Sequence, residues 1–316
     1  MKDQSKVSIV IPFFNEKDGI DVLLKSIEEY YSHRKFDFDI NFVDDGSKDG
    51  TSDLIKNVKT NSFPCKLITL SRNFGAHAAV RAGFFHASSK YITCLPADLQ
   101  ISFDTVEKLY FAIIEDNDIV YGNRKINKTR IFEKIFSWFY GSMMRKFVNK
   151  DFPFKGIETV IINEKVKKVL NENVESNSSF ILQLLSMGFK SKFININKAQ
   201  RPIGGSKWTL SKKIKLMIDS FVAFSYAPIR FVTLMGVLFS IFGFLWTIYI
   251  ILRTLTIGDL SPGWPALISV LLIGFGITNV SLGIIAEYLW RTLDTSRKRP
   301  VFIIDEIINL NEKNEK

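Results

Sequence analysis

The chain has 316 residues, with 42 lysines and arginines against 32 aspartates and glutamates, for a formal net charge of +10. A hydrophobic content of 47% with 28 phenylalanines excludes a disordered chain, which could not bury enough apolar surface to fold. The two cysteines, Cys65 and Cys94, stand at no metal-ligand spacing, which speaks against a disulfide framework or a cysteine zinc site and fits a reducing compartment. The basic excess leaves nucleic acid, an anionic membrane surface or a phosphate-bearing substrate as partner classes. No nucleic-acid-binding motif accompanies it.

Met1 to Lys6 is polar and does not read as a signal peptide. Val7–Ile11 reads as a strand, and Asp18–Tyr31 as an amphipathic helix with Ile20, Leu23, Leu24 and Ile27 on one face. Strands at Ile40–Val43, Lys66–Leu70, Tyr91–Leu95 and Asp118–Tyr121 alternate with helices at Thr51–Val58, Gly75–Ala87 and Phe103–Ile114. This alternation predicts an α/β domain with a mostly parallel sheet covered on both faces. Farther on, Ile131–Val148 and Ser211–Phe224 each carry an apolar face beside lysines and arginines, the pattern of helices lying in a membrane interface. For the first of them an ordinary core helix is the competing reading.

Two uncharged runs follow, Phe231–Leu252 of about 22 residues and Leu260–Ala286 of about 27, each long enough to span a bilayer. A buried core helix is the alternative reading, but core helices rarely run so far without a charge. Lysines and arginines cluster before the first run and after the second, and the linker offers only Arg253, offset by Asp259. The positive-inside rule then places both termini in the cytoplasm.

In mostly parallel sheets ligands bind beyond the C-terminal strand ends, and those junctions here are unusually polar. Pro12-Phe13-Phe14-Asn15-Glu16 follows the first strand, Asp44-Asp45-Gly46-Ser47 the second, and Pro96-Ala97-Asp98-Leu99-Gln100 the fourth. Crowded carboxylates repel unless a cation intervenes, and a hard divalent metal with a phosphate ligand resolves the repulsion. Asp98 and Gln100, two apart, can offer oxygens to one ion. Taken singly, the same segments also read as turn chemistry or a helix start.

The runs Ile11–Glu16 and Val43–Ser47 resemble the signature of family 2 glycosyltransferases, which have the nucleotide-sugar-binding GT-A fold, a Rossmann-like α/β domain. Arg201-Pro-Ile-Gly-Gly205-Ser206-Lys207-Trp208 is similar to the RxxGxSKW stretch of the polyprenyl-phosphate glycosyltransferases, the subfamily of dolichyl-phosphate mannose synthase and the bactoprenol glucosyltransferases. Ala227–Arg230 and Glu287–Arg291 extend the likeness over nearly the whole chain.

The resemblance implies a division into a cytoplasmic GT-A domain (1–210), an interfacial helix (211–230), a two-helix transmembrane hairpin (231–289) and a cytoplasmic tail (290–316). It implies that Pro12, Phe14, Glu16, Val43 and Asp45 line the nucleoside pocket. Ala97, Asp98 and Gln100 would meet the donor, Asp98 and Gln100 holding Mg²⁺ or Mn²⁺. Arg124, Arg201 and Lys207 would face the diphosphate, where fixed cations stabilise the charge that develops on the leaving group. The family usually carries Asp-x-Asp ahead of Leu-Gln; Pro96 replaces the first aspartate here. Where relatives commonly have an acceptor-side Asp, this chain has Glu158. His33, His77 and His86 pair with no plausible nucleophile or metal set.

The function implied is transfer of one sugar, with inversion, from a nucleotide diphosphate donor (UDP rather than GDP) to polyprenyl phosphate, undecaprenyl phosphate in a bacterium. The partners are thus the donor, the lipid acceptor, the membrane and, as in some relatives, further copies of the chain. A polysaccharide synthase is disfavoured because the Gln-x-x-Arg-Trp motif of processive enzymes is absent. A non-catalytic scaffold that kept the fold is the third reading, permitted by Pro96. The positive charge gathers in residues 121–150, 201–230 and 287–299 beyond the total of +10, so the remaining chain is net acidic.

Overall fold

The computed structural model describes residues 6–57, 62–124, 138, 141–146, 150, 152, 156–173, 179–197, 227–257, 263–297 and 299–311. The chain forms two compact units, one of residues 1–220 with 300–316, the other of residues 221–299.

In the first unit β1 (Val7–Phe13) leads through a 3-10 turn (Lys17–Gly19) to α1 (Ile20–Ser32), β2 (Phe38–Asp44) and α2 (Thr51–Asn57). Next come β3 (Cys65–Leu70), α3 (Ala76–His86), β4 (Tyr91–Cys94), α4 (Phe103–Ile113) and β5 (Ile119–Arg124). β6 (Ile157–Asn163), α5 (Glu164–Glu172), α6 (Phe180–Ser186), β7 (Ser191–Ile196) and, from the far end of the chain, β8 (Ile304–Asn309) complete it. The strands form one eight-stranded sheet in the order β7-β5-β6-β4-β1-β2-β3-β8. Only β6 and β8 run against the rest, so the sheet is mostly parallel, as the alternation predicts.

All seven residues of β2 are buried, the mark of a strand covered on both faces. On one face Ile9, Ile11, Ile40, Phe42 and Leu67 pack under Ile20, Leu23, Leu24 and Ile27 of α1 and Leu109 and Ile113 of α4. The i, i+3, i+4, i+7 spacing of the α1 set is why that segment is a helix with one dry stripe. Aromatic stacking adds to this layer, Tyr30 on Phe103 at 5.1 Å and Phe36 on Tyr110 at 4.7 Å between ring centroids. On the opposite face α3 lies against β1 and β2 through Gly83, where an added Cβ would stand 2.2 Å from Val10 Cγ1.

Some polar residues inside the sheet find local partners, whereas the buried Asn41 amide in β2 and the Thr69 hydroxyl in β3 have none among the described residues. Asp39 is buried in β2 and accepts hydrogen bonds from Ser8 Oγ at 3.0 Å and Ser89 Oγ at 2.6 Å. Asn163 caps α5, its Oδ1 accepting from Val166 N at 3.0 Å. Burial, with Arg81 adding to it, holds His77 below its ordinary value.

The structure adds elements beyond those the pattern predicts. β6 is antiparallel between β4 and β5, and runs straight into α5, so no loop signal marks it. The stretch after the apolar hairpin, expected as a tail, contributes β8 to the sheet edge beside β3.

The second unit contains α7 (Ala227–Ile257) and α8 (Trp264–Ser296), both long and apolar enough to cross a membrane by length and composition. Phe244 is 68% exposed and Phe275 65%, so these are not the dry stripes of buried core helices. Thr233, Thr256, Thr278, Ser281 and Thr292 each return their hydroxyl to the carbonyl four residues earlier. That satisfies these hydroxyls within the helix itself.

Candidate functional site

The parallel strands bring their C-terminal ends to one edge, and most described candidate residues sit there. Pro12 lies beside Val43 in register, and Phe13 beside Asp44. Leu95 N donates to Val10 O at 2.9 Å, which sets the Pro96–Gln100 loop next to the end of β1. Antiparallel β6 starts at this same edge. Asn123 pairs with Ile157, and Thr159 Oγ1 donates to Cys94 O at 2.5 Å, so Glu158 enters between the ends of β4 and β5. Arg124 closes β5 at the same edge. Segments up to about 145 residues apart in sequence thus meet because β1, β2, β4 and β5 point one way and β6 the other. Arg201 and Lys207 lie outside the described residues, as do Ser211–Phe224 and most of Ile131–Val148.

Two of the loops lock into each other through backbone amides. Asn15 N donates to Ser47 Oγ at 2.9 Å, and Lys48 N returns a bond to Asn15 Oδ1 at 2.9 Å. Glu16 N donates to Thr51 Oγ1 at 3.2 Å and Lys17 N to Asp49 Oδ2 at 3.2 Å. Asn15 takes φ of +52°, a left-handed conformation that asparagine tolerates better than most residues. This interlock presents Phe14 and Glu16, both partly exposed, from a rigid support.

Val43 and Asp45 do something different from their neighbours. Val43 is fully buried, with its side chain against the Gly83 position of α3. Asp45 is 2% exposed, and its two oxygens accept from Phe74 N at 2.7 Å and Gly75 N at 2.9 Å. Burial pushes the Asp45 carboxyl up, the two amides pull it back, and neighbouring Asp44 adds a smaller upward push. Asp45 therefore anchors the segment after β3 to the segment after β2.

That anchored segment, Ser71-Arg72-Asn73-Phe74-Gly75, is the part of the edge that motif reading missed. It follows a strand at the same C-terminal edge, so the junction rule that marked the other loops also finds it. Gly46 takes φ of +71°, and an added Cβ there would stand 2.5 Å from Arg72 C. The two loops touch backbone to backbone, which only glycine allows. Arg72 lies over the Phe74 ring, 4.2 Å from its centroid, a cation–π arrangement that stiffens both side chains.

At the end of β4, Asp98 Oδ1 accepts from Gln100 N at 3.1 Å across Leu99, which is held at φ of +55°. Such strain in a non-glycine residue persists where the surroundings over-determine it. Among the described residues no group of three or more His, Cys, Asp or Glu side chains forms a metal cage. One carboxylate and one amide oxygen nevertheless suit Mg²⁺, which keeps waters and takes most of its remaining ligands from substrate phosphates. Burial pushes the Cys94 thiol up to about 12, so it is protonated at neutral pH and is no nucleophile.

The chain is 30% identical over 95% of its length to the bactoprenol glucosyl transferase of Shigella phage SfV, covering 98% of that protein. It is 29% identical to a prophage bactoprenol glucosyl transferase homolog of Escherichia coli K12, over 96% of this chain and 99% of that one. An undecaprenyl-phosphate 4-deoxy-4-formamido-L-arabinose transferase of Edwardsiella ictaluri is 29% identical over 98% of this chain and 96% of its own. The family description "Glycosyl transferase family 2" matches residues 8–174, the segment that carries β1 to α5 and every edge loop described above. The chain belongs to glycosyl transferase family 2 and is a glycosyltransferase built on an α/β domain with a mostly parallel sheet.

Proposed function

We propose that this enzyme transfers a single sugar, with inversion, from a UDP-sugar to a polyprenyl phosphate at the cytoplasmic face of a membrane. The observation that carries the reading is the union, in one family 2 chain, of the polar sheet edge with the apolar pair α7 and α8. Relatives of full length are named for bactoprenol and undecaprenyl phosphate.

The chain leaves the first unit before α7 and rejoins it after α8. A hairpin whose two ends return to one folded body has both ends on one side of the bilayer. This supports two spans with both termini cytoplasmic, the same orientation as the arginines and lysines that flank the hairpin.

In the reaction an oxygen of the lipid phosphate attacks C1 of the sugar from the face opposite the nucleoside diphosphate. The new C1–O bond forms as the C1–O bond to the diphosphate breaks, so the anomeric centre inverts. A phosphate monoester is largely dianionic at neutral pH, with a second pKa of about 6. It needs positioning more than deprotonation, and Glu158 is then an orienting residue at the acceptor side. Pro12, Phe14, Glu16 and Ala97 would contact the donor, while buried Val43 and Asp45 hold the pocket's floor. Arg124, Arg201 and Lys207 would face the leaving diphosphate. Asp98 and Gln100 would hold Mg²⁺ or Mn²⁺, which when bound neutralises the charge developing on that group.

The test is direct. Full-length protein in nanodiscs, given labelled UDP- and GDP-sugars, undecaprenyl phosphate and Mg²⁺ or Mn²⁺, should yield one lipid-linked sugar by mass spectrometry. No lipid product across the donor panel would overturn the reading, and long glycans would replace it with chain extension.

A further inference from the structure

The strand β8 comes from beyond the apolar hairpin, yet it is fastened to both ends of β3. At its far end Leu310 N donates to Cys65 O at 3.1 Å, and the Asn311 side chain accepts from Cys65 N at 2.7 Å and donates to Phe63 O at 3.0 Å. Leu310 is buried in the core, and Lys56 pairs with Glu306 at 2.8 Å. At its near end Ile303 O accepts from Ser71 N at 3.0 Å. Ser71 opens the segment whose Arg72 backbone lies against Gly46 and whose Phe74 and Gly75 amides bind Asp45. A short hydrogen-bonded path therefore runs from the first residues after the hairpin to the floor of the candidate nucleoside pocket.

We infer that β8 is a positioning element for the donor site, so that the pocket is completed only after the chain has made its hairpin and returned. The inference rests on the donor-site reading above, but its structural half does not depend on it. Without β8 the edge of β3 loses its pairing partner, and the Ser71–Gly75 segment loses the Ser71–Ile303 bond at its first residue, keeping its contacts to the β2 loop and, at Gly75, to the first amides of α3. Amides held at one end alone open more often than amides held at both. A donor that needs this floor then binds less tightly, while the chemistry at C1, carried by other strands, is little changed.

The experiment uses the full chain, the chain ending at Arg299, and the full chain with Ser71→Pro, which removes the donor to Ile303 O while leaving β8 in place. Hydrogen exchange at Phe74 and Gly75 is the first readout and needs no ligand. It should rise about tenfold or more in both variants, and a synthetic peptide of residues 300–311 added to the shortened chain should restore protection. Donor KM should rise about tenfold with kcat within about twofold, and the peptide should reverse this too. Unchanged exchange at those amides in a folded variant overturns the inference. If the shortened chain does not fold, Ser71→Pro decides. Loss of protection together with no donor binding by the intact chain would leave β8 as the positioning element and instead overturn the function proposed above.

Discussion

The Asp45 carboxylate receives the Phe74 amide at 2.7 Å, a bond between loops that follow different strands and are 29 residues apart. With the Gly75 amide on its second oxygen, Asp45 has both carboxylate oxygens engaged and almost no exposed surface. Its work is to hold the segment after β3 in place. Asp45→Asn puts an amide donor opposite one of two backbone donors, and an unsatisfied buried donor costs about 1–3 kcal/mol. Urea denaturation should register that loss, and donor KM should rise with it.

Gly46→Ala tests the backbone approach beneath the same segment. Its Cβ would stand 2.5 Å from Arg72 C and 2.8 Å from Asn73 N, at a φ of +71° that disfavours any side chain. Neither obstacle is a side chain able to swing away, so the loops must part. A stability loss of about 1–3 kcal/mol follows from the strain, with donor binding weakened in titration calorimetry.

Gly83→Ala, by contrast, meets a side chain. The added methyl would lie 2.2 Å from Val10 Cγ1 and 3.0 Å from Val43 Cγ2, forcing α3 off the sheet at a cost of about 1–3 kcal/mol. Val10→Ala vacates that space. The double variant should therefore be more stable than the sum of the single effects implies, and a thermal double-mutant cycle measures the coupling.

Asp98→Asn keeps an acceptor for the Gln100 amide, so the turn across Leu99 should survive. It removes the negative charge that would hold a divalent ion beside the diphosphate. Transfer should fall by about a hundredfold or more with the melting temperature nearly unchanged, and the Mg²⁺ concentration for half-maximal rate should rise. Activity at the wild-type level would exclude Asp98 from the metal site.

Asp49 gives a pH dependence with a definite sign. Burial pushes its carboxyl up, but the Thr51 hydroxyl and amide and the Lys17 amide outweigh that and hold it below the ordinary 3.8. A depressed carboxyl stabilises the fold above its unfolded value, and that contribution disappears as pH falls through the lower folded value. The stability gap between wild type and Asp49→Asn should therefore be constant above pH 3.8 and shrink below it, as read by urea midpoints.

Much of this protein was legible in its order of residues. The alternation of apolar runs with helix-period segments determined an α/β sheet, because burial on both faces demands continuous apolar strands such as β2. The spacing of Ile20, Leu23, Leu24 and Ile27 determined the inner face of α1, and charge-free length singled out the two apolar helices. The loops at Phe14–Glu16, Asp45–Ser47 and Asp98–Gln100 stood out as polar interruptions after strands.

Only tertiary structure could decide which of those polar residues face outward. Asp45 and Glu16 look alike in a motif, but whether a carboxylate is buried depends on the Phe74 and Gly75 amides brought to it by a different strand. The place of β8 was hidden for a related reason. Ile303 to Asn311 carries no strong periodicity of its own, and it becomes a strand because β3 offers it a row of unpaired amides and carbonyls. Local pattern is set by burial along one segment; pairing and satisfaction of polar groups are set by what the rest of the chain brings alongside.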